Sequence, residues 1–181
     1  MTKQRVVITG APGTGKTSVI LQLEKSDYFC FHEIVRDFTK DSKETTAITS
    51  NPIVSVEDPL AFNKKILNGR IAQYKEGSNQ TNDLLFYDRG IPDVLAYMDF
   101  FNQPIAAHFS KACKEYIYNK VFLLPPWKEI YKVDEERFES FDQAQEIHKH
   151  LEETYTRFGY QCLTVPLDTV DNRVSFILNH L

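Results

Sequence analysis

The chain is poor in several residue types that mark specialised folds. Among its 181 residues are one tryptophan, two methionines and only three cysteines. Cys30, Cys113 and Cys162 are odd in number and widely spaced, with no C-x-x-C pair. That excludes a disulfide framework and a zinc pattern, and leaves reduced, mostly buried thiols. Long apolar runs are also missing. Val6-Val7-Ile8 follows Met-Thr-Lys-Gln-Arg at the start and is too short for a signal core. No other run approaches the roughly 20 residues that span a bilayer. The expectation is a cytoplasmic protein without membrane insertion. Positive charge is not in excess: 21 Lys and Arg against 25 Asp and Glu give a net charge of −4. A partner bound mainly through nucleic-acid phosphates would call for the opposite sign, so no nucleic acid is expected. Repeats and low-complexity tracts are absent, and 42% hydrophobic with 25% charged residues excludes disorder, collagen and coiled coil. At this length residues 1–181 form a single domain, which buries roughly 70% of its unfolded surface.

Glycine is scarce as well, with seven in all, yet Gly10, Gly13 and Gly15 fall within six positions. The β-branched run Arg5–Thr9 before them reads as a buried strand, and Ser18–Glu24 after them as a helix. Further strands are expected over Tyr28–Val35, Asp83–Asp88, Lys120–Leu124 and Gln161–Val165. Helices are expected over Asp58–Lys75, Asp93–Phe101 with Pro92 in the first turn, Ile105–Tyr118, Phe141–Phe158 with Gly159 as C-cap, and Thr169–Leu181. Arg36–Glu57 is polar and reads as a long loop. Strands that alternate with helices and are apolar on both faces give an α/β fold: three layers, doubly wound, around a five-stranded parallel sheet.

Gly10-Ala11-Pro12-Gly13-Thr14-Gly15-Lys16-Thr17 fits G-x-x-x-x-G-K-[ST] at every required position. Such a match arises by chance in a chain this long roughly once in 150. The chemistry needs each part. Glycines let successive N–H groups turn inward onto phosphate oxygens, and the helix that opens at Lys16–Ser18 adds the positive end of its dipole. Lys16 sets a charge on the β- and γ-phosphates, and the Thr17 hydroxyl takes a place on Mg²⁺. This is a nucleoside-triphosphate cradle of the P-loop kind, for ATP or GTP with Mg²⁺. A GTPase would add N-K-x-D and D-x-x-G, and a transporter ATPase LSGGQ; the sequence has none of these. Strand three ends Tyr87-Asp88-Arg89-Gly90, with arginine where a hexameric machine would place a second acid.

Asp88-Arg-Gly-Ile-Pro-Asp93-Val-Leu-Ala96-Tyr97 resembles the D-R-x-x-x-D/S-x-x-A-Y segment of small-molecule kinases in the thymidylate- and deoxynucleoside-kinase group. The chain is more similar still to the domain shared by NadR-type ribosylnicotinamide kinases and a fly translocation-defect nucleotide-binding protein, often labelled an AAA-type ATPase domain. Glu33-Ile-Val-Arg36, Leu123-Leu-Pro-Pro126, Asp134-Glu-Glu-Arg137 and Tyr155-Thr-Arg-Phe-Gly-Tyr160 extend that resemblance over nearly the whole chain.

Roles follow, with structural alternatives beside them. Asp88, at a strand end facing Thr17, belongs in the Mg²⁺ shell; otherwise it caps the next helix. Arg89 holds an acceptor phosphate or hydroxyl, or pairs with a neighbouring acid. Glu33 ends strand two on the edge where ligands bind in open α/β sheets. The resemblance implies that an acid there accepts or orients the attacking hydroxyl's proton, with Arg36 close by for an anionic acceptor. Asp93 and Tyr97, four apart, share a helix face; they contact the acceptor or serve capping and packing. The resemblance also implies a lid over about 126–141, whose Arg137 neutralises charge during transfer. Two function classes remain open. One is an ATP–Mg²⁺-dependent phosphotransferase acting on a small nucleoside, nucleotide or related metabolite. The other is a nucleotide-binding switch or slow ATPase or GTPase that works through a protein or lipid partner.

Overall fold

The computed structural model describes residues 3–35, 58–131 and 139–181. The expected loop at 36–57 and residues 132–138 lie outside them, and with them Arg36, Arg137 and the middle of the expected lid.

Five strands form one sheet: β1 (Gln4–Gly10), β2 (Phe29–Phe31), β3 (Leu84–Asp88), β4 (Lys120–Leu124) and β5 (Cys162–Thr164). Every pairing is parallel, in the order β2-β3-β1-β4-β5. Six helices are described: α1 (Lys16–Lys25), α2 (Pro59–Gly77), α3 (Ile91–Phe100), α4 (Ala107–Glu115), α5 (Phe141–Arg157) and α6 (Val170–Asn179).

The strand sequences explain the layers. Side chains alternate across a strand, so a run that is apolar at every position needs cover on both faces. Val6, Ile8, Phe86, Phe122 and Leu124 pack with Val19, Ile20 and Leu23 of α1 and Val174 and Ile177 of α6. Val7, Leu85, Tyr87, Val121 and Leu123 pack on the other face with α2, α3, α4 and α5. Each such leucine, isoleucine or phenylalanine contributes about 1.5–3 kcal/mol by leaving water. The expected three-layer, doubly wound arrangement is what forms.

Some boundaries differ from the sequence expectation, for identifiable reasons. The second strand stops at Phe31 rather than Val35. It is an edge strand paired only with β3, and its last partner is Tyr87. The chain then leaves the ladder, and Glu33 bonds to arginines instead. The helix expected from Ile105 starts at Ala107, after Pro104, and its C-cap is Tyr116. This frees Tyr118, whose hydroxyl accepts from the Ile91 backbone N–H at 3.3 Å. The end of α5 falls one residue before the expected one: Phe158 is the C-cap and Gly159 follows it. Gly159, at φ +86°, donates to the Thr156 carbonyl while Tyr160 donates to that of Tyr155, and the Tyr155 and Tyr160 rings meet edge-on.

The central strand β1 has β3 on one side and β4 on the other. Connections diverge there, and the crevice beyond the carboxyl ends of such strands is where ligands bind in open α/β sheets. The register sets Ile8 beside Asp88 and Gly10 beside Leu124, so the loop after β1 and the acid that ends β3 open onto the same edge.

Candidate active site

The loop from Gly10 leads straight into α1, whose N-cap is Gly15. Gly13 and Gly15 lie in the left-handed region, at φ +76° and +83°. The space beside them is also taken. A Cβ on Gly13 would stand 2.6 Å from the Tyr131 ring, and one on Gly15 2.7 Å from Arg173 Nη1. Both positions therefore require glycine twice over. Ala11 and Thr14 are fully buried, and the Thr14 hydroxyl donates to the Ala11 carbonyl at 3.0 Å. Pro12 sits between Ala11 and Gly13, and Thr17 and Ser18 on the first turn of α1 are exposed.

Lys16 is buried and folds back on the loop, donating to the Ala11 carbonyl at 2.8 Å, with Thr14 Oγ1 at 3.4 Å. Burial, with Arg89 adding to it, brings its ammonium down to about 7, against the pull of Asp88, Glu33 and Asp93. An anion in the loop would reverse that balance.

Asp88 ends β3 with its carboxylate buried, and its Oδ1 has no hydrogen-bond partner. Burial and then the nearby Glu33 push its pKa up; Lys16, Arg89 and Arg70 oppose them. An unsatisfied carboxylate oxygen in reach of Lys16's field fits a hard cation. With the Thr17 hydroxyl it offers the oxygen donors that Mg²⁺ takes when phosphates complete the shell. Among the described residues there is no cluster of three or more His, Cys, Asp or Glu that would hold a metal alone. A Mg²⁺ bound through a carboxylate and phosphates requires none.

Glu33, Arg89, Asp93 and Tyr97 come together on one side of the loop. Glu33 bridges two arginines: Oε2 to Arg89 Nε, and Oε1 to Arg70 Nη2 at 3.2 Å. Arg89 has the left-handed φ of +73°, rare for a residue with a side chain. That turn lets Nη1 donate to the Gly10 carbonyl at 3.2 Å and to Asp93 Oδ1 at 3.3 Å, with the guanidinium 5.3 Å from the Tyr97 ring centre. Asp93 is buried and accepts from the Thr9 hydroxyl at 2.6 Å, the Tyr155 hydroxyl at 2.5 Å and the Gly90 N–H at 2.9 Å. Burial pushes Asp93 up, but Arg70, Arg89 and these donors outweigh it and hold its carboxyl low. Asp93 is thus the fixed post under Arg89 and the cap of α3. Burial pushes the Tyr97 hydroxyl up to about 12. Trp127 is half-buried and its indole N–H donates to Glu129 at 3.3 Å.

Three participants were not anticipated. Arg70 of α2 donates to the Gly90 carbonyl at 3.0 Å as well as to Glu33. Arg173 of α6 donates to the Thr14 carbonyl at 2.7 Å. Tyr131 covers Gly13. For the arginines a signal existed. Arg70 lies in the apolar stripe Ile66, Leu67, Tyr74, and Arg173 in the stripe Val174, Ile177, where a surface cation would not fall. The three cysteines are free thiols, and burial pushes Cys30 and Cys113 up to about 12 and Cys162 to about 11, so none is a ready nucleophile.

A family model described as an AAA domain matches residues 5–173. The chain belongs to that family. No curated protein matches it. Solved structures share the fold of this AAA domain. Deoxyadenosine kinase from M. mycoides with bound dATP aligns at a TM-score of 0.66 and 17% identity, over 98% of each chain. Thymidylate kinase from Candida albicans aligns at 0.70 and 15%, over 99% of this chain and 91% of that one. NadR protein in complex with NR aligns at 0.72 and 16%; the alignment covers 98% of this chain but 49% of NadR. At such identities the likeness is one of fold. Among the described residues no helix is long and apolar enough to cross a membrane.

Proposed function

We propose that this AAA domain is a phosphotransferase that moves the γ-phosphoryl group of ATP, with Mg²⁺, to a nucleoside, nucleotide or related small metabolite. The observation that carries this reading is the Glu33–Arg89–Arg70 cluster beside Lys16 and Asp88. A protein that only binds nucleotide needs the loop and one acid. A second acid, partly buried and held between two arginines within the field of Lys16, suits an acceptor site.

The loop N–H groups from Gly10 to Ser18, all but Pro12, which has none, would bind the donor phosphates, and Lys16 would leave the Ala11 carbonyl to meet them. Thr17 and Asp88 would hold Mg²⁺, which when bound would supply positive charge to the donor phosphates. Glu33 would orient the attacking hydroxyl and take its proton late, since phosphoryl transfer needs little proton transfer early. Arg89, fixed by Asp93 and Tyr97, would hold the acceptor against Glu33. Arg36 would add a contact to an anionic acceptor, and Arg137 would close over the transferring group. Catalysis is then positioning and electrostatics, with few bonds for the protein to make. The test is ATP consumption against a panel of nucleosides, nucleotides and ribosylnicotinamide. One acceptor should stimulate turnover and emerge phosphorylated. Flat consumption across the whole panel would leave the switch or slow-hydrolysis reading in its place.

A further inference from the structure

The side chain of Arg173 is 1% exposed, yet among the described residues no carboxylate pairs with it. Its one hydrogen bond goes to a neutral group, the Thr14 carbonyl, through Nη2. Nε is buried with no partner, and Nη1 fills the space where a Gly15 side chain would stand. Gly15 is the N-cap of α1, so the guanidinium lies against the positive end of that helix. Two penalties coincide: a buried charge without a counter-ion, and a cation beside a positive dipole. Burial accordingly lowers the Arg173 pKa. Among the described residues Arg70, Arg89 and Arg157 do pair with acids, so the chain supplies carboxylates where it needs a neutral pair.

We propose that Arg173 is a positioning residue for the donor's phosphates, a second fixed cation that the last helix places against the outer side of the loop. This rests on the nucleotide-site reading above and adds a specific device to it. For the loop N–H groups to face a polyphosphate inward, its carbonyls must face outward and find donors there. Arg173 supplies that donor at Thr14 permanently, whereas Lys16 must give up the Ala11 carbonyl to reach the ligand. Its charge has no carboxylate partner among the described residues, so the anion itself is the counter-ion. The ligand class is a di- or triphosphate group, whatever base it carries.

The test uses inorganic tripolyphosphate without metal, so that neither base nor Mg²⁺ contributes. Affinity is measured by calorimetry on the full chain for wild type, Arg173→Met and Arg173→Lys. The expected result is at least a tenfold loss of affinity in Arg173→Met and recovery to within threefold of wild type in Arg173→Lys. The unliganded melting temperature of Arg173→Met should stay level or rise, because an uncompensated buried charge is gone. Equal affinity in Arg173→Met, or an Arg173→Lys as weak as Arg173→Met, overturns the proposal and makes Arg173 a packing brace. If Arg173→Met does not fold, Arg173→Gln replaces it; failure of both neutral variants to fold also overturns it. A wild-type chain that binds neither tripolyphosphate nor ATP would instead remove the nucleotide-site reading itself.

Discussion

Lys16 and Asp88 were legible because their chemistry demands a residue type at a fixed spacing from a glycine loop or a strand end. Their environments were not legible, and they yield sharper predictions. Burial, and then Arg89, bring the Lys16 ammonium down from 10.5 to about 7. Between those values the unfolded chain binds the extra proton, so unliganded stability should rise with pH across that window. A bound triphosphate restores the charge. At pH 8, therefore, ATP binding should take up close to one proton, measured by calorimetry in buffers of different ionisation enthalpy. Lys16→Ala should abolish that uptake and weaken or abolish turnover without unfolding the chain; uptake that persists would assign the proton elsewhere. For Asp88 the expectation concerns the cation. Asp88→Asn keeps the shape and loses the charge, so Mg²⁺-dependent turnover should fall at least tenfold, about 1.4 kcal/mol. ATP binding in EDTA should change little. An unaltered Mg²⁺ titration would return Asp88 to a capping role. Arg70 and Arg173 escaped the sequence reading because an arginine in a helix ordinarily reaches out to water. Only their place within apolar stripes marked them.

At the scale of elements, long periodic helices were the most readable parts and the edge strand the least. The second strand's aromatic run reads as eight residues of β structure, but an edge strand persists only as far as its single partner holds it. Past Phe31 the ion pairs of Glu33 decide the path. Helix α2 therefore acts as more than a cover for the sheet: Arg70 ties it to both the Glu33 segment and the Gly90 turn. Arg70→Met retains the stem and removes the charge. The pair is partly buried and Glu33 keeps Arg89, so the urea midpoint should drop by an amount equivalent to about 1.5–3 kcal/mol, the worth of a hydrogen bond to a charged group. Combining it with Glu33→Gln should destabilise by clearly less than the two single losses added together, since they share one interaction. Strict additivity in that double-mutant cycle would show that Arg70 and Glu33 act independently.

At the scale of the whole molecule, the all-parallel sheet was legible because every core strand is apolar at successive positions, which only cover on both faces can satisfy. The strand order was not legible, since hydrophobic pattern fixes faces and leaves neighbours open. That order decides the chemistry, because it sets β3 beside β1 and brings Asp88, Arg89 and the glycine loop to one edge. The glycine loop and its lysine follow from local spacing; the proposed acceptor cluster forms only on folding, when Glu33 from one segment meets Arg70 and Arg89 from two others. The most direct test of phosphoryl transfer is therefore acceptor-dependent turnover in Glu33→Gln, with the phosphorylated acceptor itself quantified. The account predicts unchanged ATP affinity and a loss of roughly 10²–10⁴ in turnover, the usual contribution of a positioned base, toward the lower figure if transfer is loose. It is contradicted if no acceptor is phosphorylated by the wild type and Glu33→Gln leaves basal ATP consumption as it was.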